Sequence, residues 1–238
     1  MYRICIALVV GLLLATTCFA EEPRLKDQAE IAFVSTSGNS EVTTLAAKNT
    51  LTYAFSERFL VKWKLLALYS ESDGETEAES YATQLRGDYL HTDRLYSYAS
   101  VGWLKDRFAG LEARYTLIGG AGYKFLLGPK HFLAGEAGLT YTTEKLKDDA
   151  DRGYLGGRLF GQYDYVFSET SRFSQSVEWL TDFDETENWL LISETALVTA
   201  LNSHLSLKTS YVVNYDNLPA DDFDETDTVL GVTLVVNF

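Results

Sequence analysis

The feature that most constrains this chain is a period-two alternation that recurs along almost its whole length. Phe59, Val61, Trp63, Leu65, Ala67 and Tyr69 share one parity, with Lys62, Lys64 and Ser70 on the other. Leu205, Leu207, Thr209, Tyr211, Val213 and Tyr215 alternate with Ser206, Lys208, Ser210 and Asn214. The end of the chain repeats the pattern, with Leu230, Val232, Leu234, Val236 and Phe238 set against Gly231, Thr233 and Asn237. Successive side chains of a strand point to opposite faces, so each run predicts a β-strand with one apolar face. No stretch of comparable length carries the helical period.

The alternation predicts about twelve strands: 28–36, 42–55, 59–70, 80–90, 95–105, 113–125, 131–143, 154–167, 172–181, 189–201, 205–215 and 227–238. Connections alternate between tight turns (at 56–58, 91–94, 126–130, 168–171 and 202–204) and longer, charged loops. A soluble β-sandwich would alternate too, but its strands average about five or six residues. Here the strands are twice that long, and aromatics crowd their ends on the apolar parity (Tyr53, Phe55, Phe59, Tyr69, Tyr81, Tyr89, Tyr163, Tyr165, Phe167, Phe173). Long strands, aromatic girdles and unequal loops predict an all-β, transmembrane antiparallel barrel of about twelve strands, of the kind found in bacterial outer membranes. An even strand count places both strand ends on the short-turn, periplasmic side. Pro23, Pro129 and Pro219 fall outside the strand patterns, as their missing amide donor requires.

The first twenty residues read as an export signal. Arg3 precedes an apolar run from Ile4 to Ala15, and small residues lead to Ala20 before the acidic pair Glu21-Glu22. That run is too short for a spanning helix, which needs about 20 residues. The expected domains are therefore a removed signal peptide, 1–20, and an outer-membrane barrel, 21–238. Both cysteines, Cys5 and Cys18, lie in the removed part, which leaves the mature chain without disulfides or thiolate metal sites. The aromatic-aliphatic strand ending in Phe238 predicts a recognition signal for the barrel-assembly machinery.

The formal net charge of −14 argues against nucleic acid as a partner. The acid is concentrated: five acids without a base in 71–79, four in 182–187 and six in 216–227. Such segments read as solvated extracellular loops. Two of them contain Asp-Phe-Asp-Glu-Thr, at 182–186 and 222–226, which makes Asp182, Asp184, Asp222 and Asp224 weak candidates for a divalent-cation site. The glycine and terminal glutamate of a helix-loop-helix calcium loop are absent, so a plain solvated loop is the simpler reading and no cofactor is expected.

Lumen-parity charges are Lys48, Lys62, Lys64, Arg86 with Asp88, Arg114, Lys124, Glu136, Arg158 with Asp164, Glu178, Glu194 and Lys208. Bases gather in strands two to six and acids in strands seven to ten, so closure predicts that Lys62, Lys64, Arg86 and Arg114 face Glu136, Asp164, Glu178 and Glu194 across the lumen. This arrangement is either a salt-bridged plug or a transverse field in a pore that passes small ions. Nucleophilic catalysis needs a histidine held by an acid. His91, His131 and His204 instead fall in or beside the short turns. The expected function is a narrow channel or structural surface protein at the cell outer membrane, in contact with its lipid and without catalytic activity. An outer-membrane enzyme acting on lipid or peptide is the alternative.

The stretch from Glu30 to Ser40 (Glu-Ile-Ala-Phe-Val-Ser-Thr-Ser-Gly-Asn-Ser) resembles the opening hairpin of the salt-induced outer membrane protein family, domain of unknown function 481. Asp106 to Tyr115, leading to Gly120-Ala121-Gly122-Tyr123, is similar to the family's second hallmark. The resemblance covers the mature chain and implies an outer-membrane location without an established activity. Read as residues, Ser37-Gly38-Asn39-Ser40 is turn chemistry. Asp106, Arg107 and Arg114 could pair across a loop, and Gly119, Gly120 and Gly122 predict a bend or close approach.

Overall fold

A computed structural model describes residues 24–36, 42–72, 75–106, 111–146, 151–218 and 225–238. The signal-peptide reading, the Ser37–Ser40 turn, Arg107, Asp222 and Asp224 lie outside the described residues. Twelve antiparallel strands close into one barrel, each paired with its neighbours in chain order: β1 (Leu25–Thr36), β2 (Val42–Ala54), β3 (Phe59–Ser72), β4 (Glu75–Leu90), β5 (Leu95–Asp106), β6 (Leu111–Leu127), β7 (His131–Leu146), β8 (Arg152–Val166), β9 (Ser171–Asp182), β10 (Trp189–Ala200), β11 (Leu205–Asp216) and β12 (Thr226–Asn237).

Directly paired residues share a face. Lys62 pairs with Arg86, Arg86 with Ser100 and Ser100 with Ile118, while Tyr96 pairs with Gly122, Gly122 with Glu136, Glu136 with Phe160 and Phe160 with Glu178, so two register lines four residues apart on β5 carry the same inward parity. The opposite parity exposes Trp63, Leu85, Val101, Leu117, Leu139, Leu159 and Leu234, as a lipid-facing wall requires. Ring pairs Tyr53–Phe55, Tyr123–Phe125 and Tyr165–Phe167 mark the short-turn rim, and a Trp189–Tyr215 stack marks the opposite one.

The short turns share a local device. Ser56 Oγ accepts the Phe59 amide, Thr92 Oγ1 the Leu95 amide and Asn202 Oδ1 the Leu205 amide, at 3.1, 2.8 and 2.9 Å. These side-chain caps replace the missing backbone partners of a tight reversal. The other end differs from expectation. The acidic stretch 71–79 is not wholly loop, because β3 runs to Ser72 and β4 begins at Glu75. An exposed β-ladder can extend beyond the bilayer, where water solvates alternate carboxylates.

Two departures from uniform walls matter below. On the inside, β5 sets Tyr96 and Tyr98 against Ile118, all buried, in the only clustered hydrophobic core among the described residues. Glycine makes this packing feasible: a Cβ on Gly122 would sit 2.3 Å from the Tyr96 ring, and one on Gly120 2.3 Å from the Ala137 carbonyl oxygen. Gly119, by contrast, meets nothing within 4 Å, so the expected close approach involves Gly120 and Gly122 only. At closure, β1 meets β12 through four residue pairs, Gln28–Asn237 to Ile31–Leu234, joined by backbone bonds between Asp27 and Phe238. Every other pair of neighbouring strands is bonded over most of its length.

Candidate functional site

The inward parity of β3, β4 and β7–β9 carries a continuous chain of charge. Lys62 Nζ lies 3.2 Å from Asp88 Oδ2, although that oxygen accepts no hydrogen bond, and Asp88 Oδ1 accepts from Arg86 Nε at 2.8 Å. Arg86 then grips Glu136 with two nitrogens, at 2.6 and 3.0 Å. Glu136 also accepts from Arg158 Nη1 at 2.7 Å, and Arg158 Nε donates to Glu178. Because β4 and β7 are separated by two strands, the Arg86–Glu136 fork spans a chord of the lumen.

Tyr96 and Tyr98 brace this chord. Tyr96 OH donates to Glu136 Oε1 at 2.8 Å, Tyr98 OH accepts from Arg158 Nη1 at 2.9 Å, and the Arg86 guanidinium sits 4.2 Å above the Tyr98 ring. Two guanidinium groups thus share one buried carboxylate and two phenols. Bidentate charge-assisted bonds of this kind offset the desolvation of charge in a narrow barrel.

A second group lies on the opposite wall. Lys208, from β11, reaches Glu194 at 2.6 Å and Glu30 at 3.0 Å, and Glu30 meets Lys48 at 3.3 Å. Beneath it, towards the short turns, a polar cavity of about 120 Å³ is lined by Gln28, Arg172, Ser174, Glu194, Lys208 and Asn237. Further out, Arg114 Nε donates to Glu144 at 2.7 Å, and Arg152 pairs with Asp182 and lies 3.6 Å from Glu185.

The structure therefore places the eight inward candidates as follows. Arg86, Glu136 and Glu178 join the transverse chain, and Lys62 reaches it through Asp88. Glu194 belongs to the second group and Arg114 to the outer one. Asp164 accepts from Gln162 Nε2 at 2.9 Å. Lys64 is exposed, with no carboxylate within ion-pair distance among the described residues, and in electrostatic reach of Lys48, Lys62, Arg86 and, from the other side, Glu178. The candidates were only part of the network. Arg158, Glu30, Glu144, Arg152 and the two tyrosines complete it, and the inward parity of Tyr96 and Tyr98 opposite glycines was the available signal.

The weak cation candidates on β9 need correction. Asp182 is almost fully buried, held by Arg152, and its Oδ1 accepts the Asp184 amide at 2.8 Å. It is a paired loop cap, not a solvated loop residue. Among the described residues no group of three acid, histidine or cysteine side chains is placed to hold a metal. The histidines sit at the short-turn rim, where His91 contacts Ser97, His131 contacts Tyr163 and His204 contacts Ser203.

A closed twelve-stranded antiparallel barrel with an apolar outer wall, aromatic rims and a charged lumen defines the class of outer-membrane-type β-barrels. The chain belongs to the family described as "Protein of unknown function, DUF481", whose model matches residues 29–238. It is 31% identical over 193 residues to the uncharacterized protein YdiY of Escherichia coli (strain K12), covering 81% of this chain and 75% of that protein. Solved structures share the fold at low identity. An outer membrane channel from Pseudomonas putida F1 matches with a TM-score of 0.55 at 12% identity, over 90% of this chain and 95% of that one. The translocator domain of autotransporter NalP from Neisseria meningitidis matches with 0.53 at 14% identity, over 98% and 92%. The NanC porin matches with 0.52 at 7% identity, over 90% and 97%.

Proposed function

We propose that this protein, exported by its first twenty residues and seated in the cell outer membrane, is a narrow non-catalytic channel for small ions. The observation that carries this reading is the uneven filling of the lumen. The Arg86–Glu136–Arg158 chord closes one side, while the ends of its chain, Lys62 and Glu178, and Lys48 and Glu194 beyond them remain about one-third exposed and Lys64 is exposed. Their exposure, and that of inward Leu66 at 42%, is support for a water path past the chord, with bases on the β2–β3 wall and acids on β9–β10. Twelve strands stand between filled eight-stranded barrels and open sixteen-stranded porins, which fits a narrow passage. The likeness to an outer membrane channel and a porin is in keeping with this.

Conductance in planar bilayers tests it. Discrete, small open levels are expected; silence together with ester or peptide turnover would favour the enzyme alternative. Glu178→Gln with Glu194→Gln should shift selectivity towards anions, because each change removes an acid and leaves Arg158 or Lys208 with one carboxylate partner where it had two. Unchanged selectivity would place the ion path elsewhere. The barrel-assembly machinery and outer-membrane lipid are the partners this reading names, and deleting Phe238 should lower the yield of folded barrel.

A further inference from the structure

The closing seam is bonded only in its periplasmic half. Beyond Ile31 and Leu234, Ala32–Thr36 of β1 and Val229–Thr233 of β12, which the continued register sets opposite one another, have no ladder partner across the seam among the described residues, although each is fully paired to its other neighbour. This unzipped stretch lies at hydrocarbon depth. Outward Leu230 and Val232 are strongly exposed, and the Trp189–Tyr215 rim stands beyond them, with Tyr215 opposite Thr226. Hydrocarbon does not tolerate open sheet edges, so an unzipped seam there must line a solvent- or solute-filled opening.

Among polar inward residues such as Ser210 and Thr233, the lumen behind it carries an aliphatic patch. Leu66 lies two residues further out than Lys64, Ala46 two further than Lys48 and Ile192 two further than Glu194, and they share inward parity with Val212 and Val229. Val229, inward and beside the opening, is 55% exposed. Directly beneath stand Lys64, with no acid partner among the described residues, and Lys48, paired only to Glu30. An aliphatic patch above Lys64, which has no ion-pair partner among the described residues, and Lys48, which has one, complements a molecule with an apolar chain and an acidic head.

We propose that the outer half of the β1–β12 seam is a lateral portal for a single-chain anionic amphiphile of the outer leaflet. Its chain packs against Leu66, Val212 and Val229, and its acid group binds Lys64 and Lys48. This rests on the outer-membrane barrel reading but not on ion conduction.

The test uses the whole barrel in phosphatidylcholine vesicles, with dodecanoic acid carrying a chain-end diazirine as probe and the matching alcohol as control. After photolysis, mass spectrometry should find the acid on inward Leu66, Val212 and Val229. Lys64→Gln should lower that labelling about tenfold, the loss of one charge-assisted bond, while the alcohol labels weakly throughout. Continuing the seam register sets Val34 opposite Gly231. Val34→Cys with Gly231→Cys, oxidised or bridged by a short bis-maleimide, should exclude the acid from the lumen. Labelling confined to outward Leu230 and Val232, indifference to Lys64→Gln, or entry through a sealed seam each overturns the portal. Conductance of the same preparation reports separately on the channel: loss of the portal result with intact open levels leaves the channel reading standing.

Discussion

The two halves of this lumen are built on different principles. From β4 to β9 the interior is filled: tyrosines lie across glycines, and five charged side chains from Asp88 to Glu178 form one bonded chain. From β10 through the seam to β3, most uncharged inward residues are small or aliphatic, Lys48, Lys62, Lys64 and Glu194 keep part of their surface open, and the closing ladder is short. Both halves come from the same twelve-strand alternation and enclose the same barrel. The difference shows that strand number sets the room available, while residue size and charge pairing set how much stays open. A barrel of this diameter can be plugged on one side and passable on the other.

If the filled half is held by its shared carboxylate, Glu136 is its most sensitive point. Glu136→Ala leaves Arg86 and Arg158 buried without their common partner, and should destabilise the barrel by about 3–5 kcal/mol. Glu30→Ala, in the open half, removes a carboxylate whose lysine partners retain Glu194 or water, and should cost about 1–2 kcal/mol. Urea unfolding in vesicles compares them. Equal losses would erase the distinction between the halves.

Much of this was legible in the sequence, because the side-chain period of a strand is unambiguous once one face is apolar. Parity alone points Lys62, Arg86, Glu136 and Glu178 the same way. What parity does not carry is partnership across the lumen. Arg86 on β4 reaching Glu136 on β7 depends on how the cylinder curves, and Asp182 could be recognised as buried only once Arg152 was beside it. The short seam was equally hidden, since Ala32–Thr36 pairs with β2 as any strand does. Nor is the outer wall purely apolar: Gln175 faces outward, accepting from Thr195 and donating to Ser193 at 2.5 and 3.0 Å. Its hydrogen bonds are met within the sheet, which lets a polar side chain occupy a lipid-facing position.

The assignment of faces underlies the comparison and has its own test. Leu65 and Leu234 are mid-strand on the outward parity, so Leu65→Lys or Leu234→Lys should cost about 2–4 kcal/mol. Ser210→Lys, inward in the open half, should cost about 0–1 kcal/mol, because the new amine reaches lumen water. Matching losses at the two parities would mean a register slipped by one residue, which exchanges every face.

The smallest expected effect separates filling from flexibility. A methyl group on Gly122 would meet the Tyr96 ring at 2.3 Å, whereas one on Gly231 finds Ser210 Oγ at 3.4 Å as its nearest neighbour. Gly231→Ala, in the open half, should stay within about 0.5 kcal/mol of the parent. Gly122→Ala forces the Tyr96 ring aside, and that ring is not free to swing, because its hydroxyl is tied to Glu136 and Glu136 to two arginines. Overpacking a site so constrained should cost about 1–3 kcal/mol. Adding Tyr96→Phe then decides the cause. If the tether is what resists, releasing the ring from Glu136 should make the glycine substitution less harmful in the double variant than in the wild-type background. If Gly122→Ala is as mild as Gly231→Ala from the start, the tyrosines merely rest on the glycine strip, and the rigidity of the filled half comes from its ion pairs alone.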